Sequence, residues 1–115
     1  MYSAAFIWEP GVYDEEFHRL NAIIHGVATS LPGFLGVDSW QATEGTRRNA
    51  TYFWDSLETV QQFAIHPAHK EAKRQYARWY AGYHIVISQV VRSYGDGAFD
   101  HITPNERDRG RRAST

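Results

Sequence analysis

Between Tyr83 and Tyr94 the chain carries apolar side chains on both sides of one predicted strand. Period-two alternation sends Ile85, Ile87 and Val91 one way and Val86 and Val90 the other. An antiparallel sheet with helices on one face and water on the other alternates apolar with polar residues. This segment does not, and neither does the first predicted strand, residues 3–9, where Phe6 and Trp8 oppose Ala5 and Ile7. Helices cover only one such face. The chain has 115 residues, 43% of them hydrophobic, so it is one small globular domain with a limited core of its own. No further element remains to cover the second face. A second copy of the same sheet is the expected cover, giving a homodimer through the sheet faces.

The other elements follow from pattern and punctuation. Pro10-Gly11 ends the first strand. Asp14-Glu15-Glu16 opens a helix with acids at the positive end of its dipole, and Phe17, Leu20, Ile24, Val27 and Leu31 form its apolar stripe. Leu31-Pro32-Gly33 stops it. Strands are predicted over 34–41 and 48–54, joined by a hairpin at Glu44-Gly45-Thr46. Ser56 caps a helix running to about Ile65. Pro67 forces a bend at His66 and starts a second helical piece to about Ala81, which Gly82 ends. His69, Ala72, Tyr76 and Trp79 share a face of that piece. The order is βαββαβ, an α+β, ferredoxin-like antiparallel sheet with helices on one face.

Residues 1–95 make up this domain, and 96–115 read as a polar C-terminal tail, expected to be mobile. Phe99 and Ile102 are the residues able to anchor its start, and Arg107, Arg109, Arg111 and Arg112 alternate with acids. Twelve basic and thirteen acidic residues give a net charge of −1, with no electrostatic footprint for nucleic acid or an anionic membrane. The chain has no cysteine, which excludes disulfides, thiolate metal sites and cysteine nucleophiles. The opening MYSAAFIWEPG lacks a basic n-region and contains Glu9, so it is read as a strand and not as a signal peptide. No apolar run is long enough to span a bilayer, and a cytoplasmic location is the expectation.

Phe53-Trp54-Asp55-Ser56, the helix bearing His66-Pro67-Ala68-His69, then Trp79-Tyr80 and the apolar last strand, with Leu31-Pro32-Gly33-Phe34 upstream, resemble the antibiotic biosynthesis monooxygenase family. Together these motifs cover most of residues 1–95. The resemblance implies a dimeric α+β barrel with a pocket in each subunit between sheet and helices. It implies oxidation of an aromatic phenol- or quinol-like molecule by dioxygen, with no resident cofactor. Trp54 matches the tryptophan ending the third strand in quinone-forming members. Their asparagine four residues earlier is Ala50 here, and Asn49 lies one position off, on the other strand face. The haem-degrading signature is missing. Its first-strand asparagine has no counterpart within residues 4–9, and its helix positions fall on Phe63 and Lys73.

The candidate catalytic residues are therefore His69 and Trp54. An imidazole titrating near neutral pH can take a phenolic proton. Phe63, His66, Tyr76, Trp79, Tyr80 and His84 are the candidate substrate-binding residues, an aromatic wall suited to a flat ring. His66 and His69 lack a third ligand nearby, so no metal site is assigned. His66 alternatively caps the helix start, and His84 alternatively faces the dimer interface. A non-catalytic dimeric module binding a hydrophobic ligand, haem included, is the alternative reading. A pocket filled by its own side chains, leaving only a structural dimer, is a third, and a cavity smaller than the few hundred cubic ångströms typical of ligand sites is the observation expected to count against both binding readings.

Overall fold

The computed structural model describes residues 1–107 and is built as β1 (Tyr2–Pro10), α1 (Glu15–Ser30), β2 (Phe34–Gln41), β3 (Arg48–Trp54), α2 (Leu57–Ala64), α3 (Pro67–Trp79) and β4 (Tyr80–Gln89). The strands form one antiparallel sheet in the order β2-β3-β1-β4. This is the ferredoxin-like arrangement expected, with the second helix divided at Pro67. Among the described residues no helix is long and apolar enough to cross a membrane.

The local chemistry at the element ends is as the sequence suggests. The Asp14 carboxylate accepts from the Phe17 backbone N–H at 2.8 Å and caps α1. Ser56 caps α2 through the Thr59 backbone N–H. At the bend, His66 Nδ1 accepts from the Ala68 N–H at 3.1 Å, and Pro67 opens α3. One boundary differs. The helix ends at Trp79, and β4 runs from Tyr80 to Gln89 instead of from Tyr83 to Tyr94. Pairing to β1 decides this, with Tyr80 opposite Pro10 and Gly82 opposite Glu9 across a bulge. Gly82 is thus a strand residue and not a helix stop. Gly11 locks the junction, because its N–H donates to the Trp79 carbonyl at 2.7 Å and any Cβ there would meet that oxygen at 2.6 Å.

Register fixes the two faces. Tyr2, Ala4, Phe6 and Trp8 of β1 lie beside Trp54, Tyr52 and Ala50 of β3 and beside Ile87, Ile85 and Tyr83 of β4, on the helix side. The core there is Ala28, Trp54 and Val60, with Tyr2, Ala4, Leu31, Phe34, Tyr52 and Phe63 packed around it. The helices cover β4 only in part, with Tyr76 of α3 against Tyr83 and Phe17 of α1 against Tyr80. Ile85 and Ile87 stay 39% and 52% exposed on the helix side, and Val86 41% on the reverse side.

The reverse face gains a cover that the sequence marked only through Phe99 and Ile102 as candidate anchors. After β4 the chain returns across β2 and β3, where His101 Nε2 lies 2.9 Å from Asp38 Oδ2 and the His101 ring meets Phe53 edge-on. Ile102 packs on Gly36, whose φ of +150° and missing Cβ make room for it. The Ser93 N–H donates to Glu106, closing the loop. Phe99 remains largely exposed. The expectation that the chain has no element left for this face therefore needs correcting for its β2–β3 half; the β1–β4 half, with Ala5, Ile7 and Val86, stays uncovered. Arg109, Arg111 and Arg112 lie outside the described residues.

Candidate functional site

Two motifs meet in space to set the deep end of the site. The Asp55 N–H donates to the Gly33 carbonyl at 2.9 Å, and Thr59 Oγ1 donates to Asp55 Oδ1 at 2.9 Å. A Cβ on Gly33 would collide with both the Asp55 and Thr59 side chains. The Leu31–Phe34 turn and the Phe53–Ser56 run thus form one tight junction, and they press Trp54 into the core at zero exposure.

Beside Trp54 lies a cavity of about 190 Å³ between the sheet and all three helices. Ala4, Phe6, Tyr52, Trp54, Tyr83, Ile85 and Ile87 supply its floor. Asn21 and Ile24 of α1, Val60, Phe63 and Ala64 of α2, and His69, Ala72, Lys73 and Tyr76 of α3 supply its walls, with Tyr80 at one end. The rings are in contact: Trp54 with Phe63 at 5.2 Å between centroids, Phe63 with His69 at 4.8 Å, and Tyr76 with Tyr83 at 4.8 Å. The volume falls below the few hundred cubic ångströms of a typical ligand site, which counts for the self-filled pocket and against a large ligand such as haem. It exceeds the roughly 150 Å³ apolar cavity that accepts benzene, so a small aromatic ligand still fits. It admits one ring, or two fused rings where it opens beside β4.

Two nitrogens behind this lining are anomalous. Trp54 Nε1 and His69 Nδ1 have no hydrogen-bond partner among the described residues, and both are so fully buried that no water-sized atom touches them from the cavity. Buried polar atoms are nearly always paired, so each orphan is a place where stability is given up. Burial holds the His69 imidazole below its ordinary value, and the Lys73 and His66 charges add to this. The Ala64 backbone works the other way, but no hydrogen bond of normal geometry reaches Nδ1, so burial dominates. His69 is thus neutral at pH 7, the form that accepts a proton. Tyr52 is raised by burial, and Tyr80 is pushed up to about 12 by burial with help from Tyr13 and Tyr52, so both phenols keep their protons.

The sequence-predicted residues divide sharply. Trp54, Phe63, His69, Tyr76 and Tyr80 are brought together around the cavity. His66, Trp79 and His84 are not. His66 spends Nδ1 on the cap of α3. Trp79, expected in the wall, turns to α1 instead, where Nε1 donates to Asp14 Oδ1 at 2.9 Å and the ring meets Phe17 edge-on. His84 pairs with Ile7 and points to the reverse face. Asn49 likewise lies on that face, donating to Thr51 at 2.9 Å, while Ala50 faces the helices. Lys73, Asn21 and Tyr52 were missed. Periodicity could have found all three, since Lys73 is one helical turn beyond His69, Asn21 sits within the stripe of α1, and Tyr52 shares the strand face of Trp54.

No protein-family model matches the chain. Its likeness to solved structures is broad. SnoaB of Streptomyces nogalater, a cofactor-independent oxygenase, superposes with a TM-score of 0.64 at 9% identity, covering 80% of this chain and 94% of that one. Rv0793 of Mycobacterium tuberculosis gives 0.61 at 9% identity over 82% and 98%. A protein of Chloroflexus aurantiacus, named as a candidate antibiotic biosynthesis monooxygenase, gives 0.54 at 21% identity over 84% and 98%. The fold is therefore that of the antibiotic biosynthesis monooxygenases, the family to which the sequence motifs point. Within it the chain belongs to one family with the uncharacterized protein YqjZ of Bacillus subtilis strain 168, to which it is 33% identical over 81 residues, 70% of this chain and 67% of that protein.

Proposed function

We propose that this chain is a monooxygenase that oxidises a one- or two-ring phenol with dioxygen and without a resident cofactor. The observation that carries the reading is an apolar, aromatic-lined cavity with the neutral imidazole of His69 in its lining. Phenyl carbons suit that lining, and a phenolic oxygen suits the His69 ring as its proton acceptor. The small cavity is the reason for choosing one or two rings over larger polycycles.

The reaction balances without an external reductant. A phenolate with a free para carbon passes one electron to dioxygen. The aryloxyl and superoxide radicals then join at that carbon as a peroxide. Loss of water from the peroxide leaves a quinone, so phenol and dioxygen give quinone and water. The difficult step is the first. An ordinary phenol is a much weaker acid than the imidazolium of His69, which burial holds below its ordinary value, so the proton transfer runs uphill. Charges or donors placed beside the oxyanion must offset that gap. Oxygen uptake with 1-naphthol and related phenols tests the reading. Naphthoquinone formation matched mole for mole with dioxygen is expected, and absence of uptake across one- and two-ring phenols would sink it. A non-catalytic ligand module is the rival, and it predicts naphthol binding without uptake.

The assembly we propose is a homodimer through the sheet faces. Its support is the apolar β4, exposed on both sides at Ile85, Val86 and Ile87, together with the uncovered β1–β4 half of the reverse face. Sedimentation at micromolar concentration tests this. A folded monomer at that dilution overturns it.

A further inference from the structure

Lys73 stands on α3 one turn beyond His69 and lines the same cavity. It has no ion-pair partner among the described residues. The carboxylate nearest to it in sequence, Glu71, is already bonded to Gln75 at 2.6 Å and to Arg74 at 2.6 Å, and it does not line the cavity. The titratable groups that do line it are Tyr52 from β3, His69, Lys73 and Tyr76 from α3, and Tyr80 and Tyr83 from β4. From α1 come only Ile24 and the neutral amide of Asn21, and from α2 only Val60, Phe63 and Ala64. No Asp or Glu faces the space. Lys73 is close enough to His69 to disfavour the imidazolium. A largely apolar hollow therefore has the positive charge of the exposed Lys73 at its rim, with no carboxylate in the lining to offset it. That charge complements a negative oxygen on a ring and does not complement a cationic ligand.

We propose that the cavity selects its aromatic ligand as the oxyanion, with Lys73 as the counter-charge that holds the phenolate. This rests on the ligand-site reading above and sharpens it: the substrate class becomes acidic phenols, and Lys73 becomes a specificity-determining residue. Once the proton has moved to His69, the phenolate stands between two positive charges, which removes the repulsion that Lys73 otherwise exerts on the imidazolium.

The test uses equilibrium binding, independent of turnover, with 4-nitrophenol and its methyl ether 4-nitroanisole as probes. Near the pH where free 4-nitrophenol is half ionised, binding to the wild-type chain should increase the visible phenolate band. Lys73→Met should weaken phenolate binding about tenfold and leave 4-nitroanisole binding within twofold, while Lys73→Arg retains most of the phenolate affinity. A phenolate band that shrinks on binding would overturn the proposal, because an apolar lining alone favours the neutral phenol. So would a Lys73→Met chain that binds both probes as the wild type does, or that weakens both equally. Binding of 4-nitrobenzoate without 4-nitrophenolate would overturn the phenolate assignment in favour of a carboxylate. If neither nitrophenol nor nitroanisole binds, the ligand-site reading falls together with this one. If phenolate binds through Lys73 but phenols consume no dioxygen, the anion site stands and the oxygenase reading alone falls.

Discussion

Trp54 and Trp79 are both fully buried, at 0% and 1% exposure, and they sit in opposite kinds of surroundings. Trp79 joins α3 to α1. Its N–H bonds to the same Asp14 carboxylate that caps α1 and takes Arg78 at 2.7 Å. Every polar group there has a partner, and Asp14 is held below its usual carboxylate range, first by the Phe17 N–H and then by Trp79 and Arg78 against some desolvation. Trp54 joins β3 to α2, and its N–H has no partner among the described residues. Equal burial thus goes with unequal pairing: the Trp79 indole is bonded across two helices, and the Trp54 indole is held by packing alone.

Replacement of either ring by alanine breaks the comparison by brute force. Each variant should lose about 3–5 kcal/mol in denaturant unfolding, since both indoles are buried in packed surroundings. Such a result would not distinguish the two.

Phenylalanine distinguishes them. Trp79→Phe removes a donor from a completed network and should cost about 1–2 kcal/mol, with no change in ligand affinity. Trp54→Phe removes an orphaned donor, so its stability should stay within about 1 kcal/mol of wild type. Should Trp54→Phe destabilise as strongly as Trp79→Phe in denaturant unfolding, the indole N–H has a structural partner and the contrast between the two regions falls.

How much of this contrast the sequence carries can be judged at these same positions. The β2 and β3 bounds, the cap at Ser56 and the bend at His66 were legible because turn and capping residues act locally. Trp54 was legible through its motif. Trp79 was misplaced because helical period alone puts it on a face with His69, Ala72 and Tyr76. Its true direction depends on where Asp14 lies, 65 residues away, and no local pattern encodes that. The start of β4 was late for a similar reason: Gly82 reads as a helix stop until Glu9 is known to pair with it. The return of Ile102 onto Gly36 was foreshadowed only by the apolar character of Phe99 and Ile102 in a polar stretch, and of the two it is Ile102 that packs while Phe99 stays largely exposed.

The smallest expected effect concerns pH, and it tells the two regions apart without changing either tryptophan. The His69 imidazole is depressed in the folded chain, so the unfolded chain binds the extra proton first as pH falls. Its contribution to stability is therefore full above about pH 6.5 and declines below it, toward the lower folded value. His69→Gln should flatten that part of the stability curve. In a turnover assay the same group should give kcat/KM an acid limb with its midpoint below 6.5, which the variant removes. Asp14 acts lower still. Its carboxyl is depressed beneath 3.8, so the stabilisation of the Trp79 junction is complete above that pH and is lost only as pH falls through the folded value. Two separate acid transitions are the expected outcome, the upper one sensitive to His69 and to ligand, the lower one sensitive to Asp14→Asn and indifferent to ligand. A single transition that moves with both substitutions would mean that the two buried tryptophans belong to one cooperative network after all.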